Sequence, residues 1–303
     1  MNTRQKGYSL LEFKQLTLSD TETIRPFYTH AETDSCDATP GGALLWRDYF
    51  QTEFTVYQDT LVFKVVYLNN LTCFPPPVGQ NVPAAMDAIE SYCQAREIPL
   101  YYCAVAQDIL PLYQERFDLE AYEETDWADY IYAKEDLYTL RGKRYNGQRN
   151  HINYFLRTWP DWRIETITPE NLPAVLDFFR SFETQRIKES PSFQEEKRKT
   201  LEILENYETY GLLGAAIFIE GRVVAFALGE LLRQTMFVHV EKADLTVRGA
   251  YQMITHEFVK RFAREDTLWI NREDDGGDPG LRKAKQDYHP AKLLKKYTVL
   301  VKG

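Results

Sequence analysis

Short apolar runs and alternating stretches fill the chain, broken at intervals by Gly, Pro, Asn and Asp. An apolar residue at every second position makes a half-buried strand, while spacings of three and four make the inner stripe of a helix. On these rules positions 11–18 read as a strand, and Ser19 with Glu22 offers a capping box for a following helix. A short helix includes 44–50. Positions 53–57 and 61–68 form a hairpin across Gln58 and Asp59, with another strand at 71–74. Beyond the prolines at 75–77 come a helix at 82–96, a strand at 100–106, a helix from Asp108, and strands near 119–123 and 129–133.

The second half runs in the same order. Positions 162–167 are strand-like, and Thr168 followed by Pro169 begins a helix. A helix at 193–207 precedes a hairpin of 212–219 and 222–230 around Glu220 and Gly221, then a third strand at 235–241. A loop ending at Arg248 and Gly249 leads into a helix at 250–264. The strand 268–271, a glycine loop, a helix from Asp278 and a strand at 297–301 complete the chain.

A strand, two helices, three mostly antiparallel strands, a helix, a strand, a helix and a last strand is an order similar to the GNAT acyltransferase fold. The expected class is therefore α/β with α+β mixed sheets, arranged as two tandem GNAT-like acyltransferase domains. These would be 1–145, the N-terminal domain, and 146–303, the C-terminal domain carrying the active site. The boundary would lie in the basic helix at about 144–158. Order of elements does not establish activity.

Longer local motifs narrow the choice. Gly147 to Asn153 (GQRNHIN) precedes the second copy, His239 to Ala243 (HVEKA) ends its third strand, and Arg248 to Gln252 (RGAYQ) opens the next helix. Asn271 to Lys285 (NREDDGGDPGLRKAK) follows the next strand. With Ser35, Cys36, Trp46 and Tyr49, they resemble the bacterial family named for the C-terminal domain of phosphatidylglycerol lysyltransferase, over nearly the whole chain. The architecture is similar to that of Fem-type peptidoglycan aminoacyltransferases, which pair GNAT-like domains and use aminoacyl-tRNA.

The resemblance implies transfer of an aminoacyl or acyl group from a phosphate-bearing donor, aminoacyl-tRNA favoured, onto an amine. It implies no tightly bound cofactor, with aminoacyl-tRNA or acyl-CoA acting as co-substrate. Two departures matter. Lipid-modifying lysyltransferases carry a membrane-embedded region, and no apolar run here approaches the ~20 residues of a bilayer span. CoA-dependent GNAT enzymes carry a Gln/Arg-x-x-Gly-x-Gly/Ala loop, of which Arg248, Gly249 and Ala250 supply a fragment. A CoA-dependent N-acetyltransferase and a non-catalytic anion-binding protein on the same fold are the alternatives.

Transfer to an amine needs a base, donors for an oxyanion and a grip on the carrier. Strand alternation sets Phe237, His239 and Glu241 on one face with Lys242 opposite. Glu241 is then the candidate base and His239 the second choice, unless both belong to a polar strand end linked to an arginine. Arg248 and Gly249 stand where free helix amides can receive a phosphate, although a tight turn also demands glycine. Asp278 can cap the helix after it, on which Arg282 and Lys285 share a face and offer a second phosphate site. Substrate candidates are Asn271, Arg272, Glu273, Asp274 and Tyr251. The acids at 273–275 suit an amino group or an internal salt-bridge network equally. Arg144, Arg149, Asn150 and His151 at the expected domain junction either meet the carrier or lock the domains together.

Charge is uneven. The net charge is −9, yet 137–160 holds five basic residues and no acid, and 281–303 holds seven against Asp287. These windows carry +5 and +6, so the rest carries −20. Such a body orients a polyanion toward its basic mouth, unless both windows pair with acidic neighbours. Cys36, Cys73, Cys93 and Cys103 lie apart without a CxxC and read as buried thiols. His256 and Glu257 lack the second histidine of HExxH, so no metal is expected. No GxSxG, Walker or dinucleotide motif occurs. The first sixteen residues contain no unbroken apolar segment, which predicts a cytoplasmic protein.

Overall fold

The computed structural model describes residues 11–67, 70–183 and 191–302. Most of the segment read for a leader, and Leu68 at the end of the predicted hairpin, lie outside the described residues. The chain forms two compact units that interleave in sequence. One comprises 1–33, 47–125 and 295–303, the other 34–46 and 126–294. This differs from contiguous halves meeting at 145/146, a position that falls inside the second unit.

The first unit holds strands β1 (Lys14–Gln15), β2 (Glu53–Tyr57), β3 (Thr60–Tyr67), β4 (Leu71–Cys73), β5 (Val78–Gly79), β6 (Tyr101–Ala106) and β7 (Leu119–Glu123). The strand expected over 11–18 shrinks to two residues because Asp20 draws in the Thr17 N–H at 3.0 Å and its hydroxyl at 2.7 Å, closing a 3-10 turn. That cap, Thr17 with Asp20, lies two residues before the Ser19–Glu22 box. The hairpin turn at Gln58 and Asp59 has positive φ at both residues, which matches the twist of the strands it joins.

The second unit is built on a seven-stranded sheet. Its strands are β8 (Asp129–Ala133), β9 (Arg163–Thr166), β10 (Leu213–Ile219), β11 (Arg222–Leu232), β12 (Thr235–Ala243), β13 (Trp269–Asn271) and β14 (Lys292–Leu294), in the order β14-β8-β13-β12-β11-β10-β9. The last strand, β15 (Lys296–Val301), returns to the first unit and lies between β6 and β7.

The centre of the large sheet is buried on both faces, which is why β10 and β11 read as near-continuous apolar runs. Phe226 meets Phe178 and Phe179 edge-on, with centroids 6.1 and 5.9 Å away, on the helix Leu172–Glu183. Its neighbours Ala225 and Ala227 join Met253, Ile254 and Phe258 of the helix Ala250–Phe262. Each fully buried large side chain contributes about 1.5–3 kcal/mol by leaving water. Among the described residues no helix is long and apolar enough to cross a membrane.

Candidate active site

The site begins where two parallel strands part. β12 and β13 pair at Thr235 with Trp269, Met236 with Ile270 and Phe237 with Asn271, and then pairing stops. β13 ends there, while β12 runs on to Ala243 beside β11. Glu241 and Arg272 therefore stand in the opening.

A register shift on β11 between Leu228 and Gly229 leaves His239 outside the residue pairs of this ladder. The extra residue breaks the alternation expected for 237, 239 and 241, and the two candidate bases go to different partners. His239 is buried, with Nε2 2.8 Å from Glu230 Oε1 and Nδ1 2.6 Å from Glu273 Oε1. Gly41 N–H also donates to Glu230 Oε1 at 2.8 Å. Burial opposes the imidazolium, but the two carboxylates outweigh it and raise its pKa to about 10. Glu230 is pushed up by burial and pulled further down by His239, ending below its usual range. A histidine holding its proton between two carboxylates is no base at neutral pH. This corrects the reading of His239 as a proton acceptor.

Glu241 takes two N–H bonds on one oxygen, from Arg272 Nε at 3.0 Å and Nη2 at 2.5 Å. Burial disfavours the Arg272 charge, but Glu241 outweighs it and raises the guanidinium pKa. The guanidinium lies 4.8 Å from the Tyr288 ring centre and 5.7 Å from that of Tyr132. Arg272 Nη1, the Tyr288 hydroxyl and Gln148 Oε1 are buried without a hydrogen-bond partner among the described residues. Burial pushes the Tyr288 phenol up to about 12.

The loop after β13 is knitted to itself. Asn271 Nδ2 donates to Asp129 Oδ2 at 2.8 Å and to the Asp34 carbonyl at 2.7 Å, and its Oδ1 receives the Glu273 N–H. Asp274 Oδ1 receives the Gly276 N–H at 2.9 Å. Asp278 caps the helix Pro279–Gln286 through the Gly280 and Leu281 N–H groups, as its position predicted. Arg282 is bidentate on Asp275 and reaches Asp126 at 2.7 Å. Tyr130 donates to the same Asp275 at 2.6 Å.

Lys285 is 7% exposed and donates to the Arg272 carbonyl at 2.5 Å and to the Asp274 carbonyl. Burial lowers its pKa. The two cations expected to share a phosphate-binding face are instead engaged here, Arg282 by Asp275 and Asp126 and Lys285 by the Arg272 and Asp274 carbonyls. Glu273 and Asp275 likewise serve the internal network.

Arg248 is exposed, stacked 4.5 Å from the Tyr154 ring centre, and forms no ion pair among the described residues. Gly249 follows with φ 91°, against the His151 carbonyl and Phe155 of the helix Asn146–Thr158. Tyr251, partly buried, accepts the Thr255 hydroxyl at its carbonyl at 2.9 Å. Arg144 bonds Asp136 at 2.8 Å, and Arg149 donates to the carbonyls of Leu140 and Gly142 and to Asn146. Asn150 is exposed and His151 half-buried. All four belong to the interior of the second unit's sequence and not to a junction.

Glu230, Gly41, Tyr132 and Tyr288 escaped the sequence reading. Only Glu230 left a signal, as an acid inside the apolar run of β11. The cysteines are all buried thiols. Cys36 Sγ with oxygens of Asp129 and Asp274 lies within 4.8 Å. Asp129 already accepts Cys36 N–H at 2.7 Å and Cys36 Sγ at 3.2 Å, so this cluster is satisfied by its own hydrogen bonds in part.

Known proteins resemble this chain at several levels. A conserved protein of unknown function from Bacteroides thetaiotaomicron VPI-5482 is 33% identical with TM-score 0.86, covering 96% of this chain and 100% of that one. L-PGS from Bacillus licheniformis gives TM-score 0.65 at 14% identity, covering 93% and 92%. FemX gives TM-score 0.59 at 9% identity, covering 95% and 97%; at these identities the likeness is one of fold. An uncharacterised Mycoplasmoides gallisepticum protein is 23% identical over 189 residues, 62% of this chain and 60% of that relative's length. The family model described as phosphatidylglycerol lysyltransferase, C-terminal, matches residues 30–300, and the chain belongs to that family.

Proposed function

We propose that this chain transfers an aminoacyl or acyl group from a phosphate-bearing carrier, aminoacyl-tRNA first among them, onto an amine. On this reading the two units are paired GNAT-like domains, the second does the chemistry, and the donor places the work in the cytoplasm. One observation carries it: in a member of this family, the parallel pair β12 and β13 parts after Phe237 and Asn271, with Glu241 and Arg272 in the gap. Ligands of open α/β sheets bind at such breaks. The amine nitrogen attacks the carrier-ester carbonyl, the carbon–oxygen bond to the carrier breaks, and the amine's proton passes through Glu241 to the leaving hydroxyl. Arg248, exposed at the start of a helix, supports the carrier phosphate.

The test is release of label from a pool of radiolabelled aminoacyl-tRNAs to hydroxylamine as surrogate amine, with acetyl-CoA in a parallel arm. Glu241→Gln should keep carrier binding and slow transfer about 10²-fold or more. Arg248→Ala should weaken carrier binding and flatten its salt dependence. Label retained by every aminoacyl-tRNA while acetyl-CoA is consumed would replace this donor with CoA. A second reading, anion binding without turnover, is favoured by the engagement of Glu241 with Arg272, and it predicts carrier binding with no release in either arm.

A further inference from the structure

We propose that the cell enclosed by Glu241, Arg272, Tyr132 and Tyr288 is a seat for one neutral carbonyl oxygen, that of an ester, amide or thioester, received by Arg272 Nη1 and the Tyr288 hydroxyl. The proposal deepens the transferase reading and rests on it for the identity of the carbonyl-bearing group.

Arg272 spends Nε and Nη2 on one oxygen of Glu241, at 3.0 and 2.5 Å. Its remaining nitrogen, Nη1, is buried and unpartnered, and so is the Tyr288 hydroxyl over whose ring the guanidinium lies. Thr255 is the polar side chain that acts on the Tyr288 phenol, and its own hydroxyl proton goes to the Tyr251 carbonyl at 2.9 Å. Buried polar atoms left unpaired cost stability, and two on a pair of side chains in contact call for a cause. Arg272 Nη1 can only donate and the Tyr288 hydroxyl can donate as well as accept, so a group carrying lone pairs fits both.

Charge selects among lone-pair groups. The Arg272 charge is already answered by Glu241. Lys285, the other cation nearby, is committed to the Arg272 and Asp274 carbonyls. A free carboxylate brought into this cell would lack a counter-charge. A carbonyl oxygen carries only a dipole, and it gains negative charge as its carbon is attacked, when fixed donors matter most. Glu241 and Arg272 side chains are 12% and 11% exposed, so the ion pair itself touches solvent.

Tyr288→Phe and Arg272→Lys in the full chain test this. The probes are a panel of L-amino-acid amides and methyl esters, the matching free amino acids, and acetyl-CoA, read by thermal melting. At least one carbonyl probe should raise the wild-type melting temperature, and its free acid should not. Tyr288→Phe should melt no lower than wild type without ligand, because it removes an unpaired hydroxyl, yet bind that probe about tenfold more weakly. Arg272→Lys keeps a charge on Glu241 but loses the spare nitrogen, so it should lose the same binding. The carbonyl stretch of a ¹³C-labelled bound ester should fall in frequency in wild type and recover in Tyr288→Phe.

Free acids binding as tightly as amides would overturn the neutral-carbonyl seat. So would a Tyr288→Phe protein that is destabilised but binds normally, or a wild type that responds to no carbonyl probe. The two readings fail separately. Seating of acetyl-CoA alone would sink aminoacyl transfer and keep the seat. Normal transfer from aminoacyl-tRNA by both variants would sink the seat and keep the transferase.

Discussion

His239 holds its proton because two carboxylates face it in a place water does not reach. Its pKa stands near 10 against 6.5 for the free side chain, with burial opposing and Glu230 and Glu273 prevailing. A raised histidine pKa gives stability that is complete below the unfolded value of 6.5 and is lost as pH climbs through about 10. Glu230, lowered, contributes above its unfolded range and loses that contribution in acid. Replacing His239 by Gln strands the Glu230 carboxylate in the interior and should cost about 3–5 kcal/mol. Urea unfolding at pH 6 and pH 10 measures this. The gap between wild type and His239→Gln should be wide at pH 6 and narrow at pH 10; an equal gap at both would show that the proton is not held there.

Helices cross the second unit at points that only glycine permits. Gly249 begins the helix Ala250–Phe262 at φ 91°, and a Cβ there would lie 2.5 Å from the His151 carbonyl and 3.0 Å from Phe155 Cβ. Gly221, in the β10–β11 turn, also has positive φ (79°) but open space around its Cβ position. Alanine at 221 therefore meets only the conformational cost, about 1–2 kcal/mol. Alanine at 249 adds a backbone collision and should cost about 1–3 kcal/mol more. Denaturant midpoints of the two variants decide it, and equal losses would mean the helices part freely at Gly249.

Over the whole chain, folding units and sequence halves do not coincide. β15 lies between β6 and β7, and β8 lies between β13 and β14. A cut at 145/146 takes the middle strand from the first unit's three-stranded sheet and an interior strand from the second unit's large sheet. Buried backbone groups would lose their partners in both pieces. Fragments 1–145 and 146–303, made separately, should show no cooperative thermal transition by circular dichroism. Mixed together they should recover one. A sharp transition in either isolated fragment would show that the contiguous halves fold alone.

Local patterns in the chain already specified most elements of the second unit. The apolar runs of β10 and β11, the turn at Glu220 and Gly221, the Asp278 cap and the Gly249 helix start follow from neighbours a few residues away, so periodicity and turn chemistry suffice. Two of the motif stretches, 239–243 and 271–285, meet through His239 with Glu273 and Glu241 with Arg272, while 248–252 packs on the helix Asn146–Thr158. Which side chain meets which was settled elsewhere. The shift in register that separates His239 from Glu241 depends on how β11 pairs, and Arg272 acquires its ring neighbours from Tyr132 and Tyr288, 140 and 16 positions away. On helix spacing alone Arg282 and Lys285 share a face, which suits a phosphate or acidic neighbours of the chain. Folding brought acids and carbonyls against them, since a charge near the interior is stable only when paired. The sequence determined the strands, helices and caps because those rest on short-range sterics and hydrogen bonding. Tertiary structure alone decided the protonation of His239, the engagement of Glu241 and the unpaired donors of Arg272 and Tyr288, because burial and charge pairing depend on residues distant in the chain.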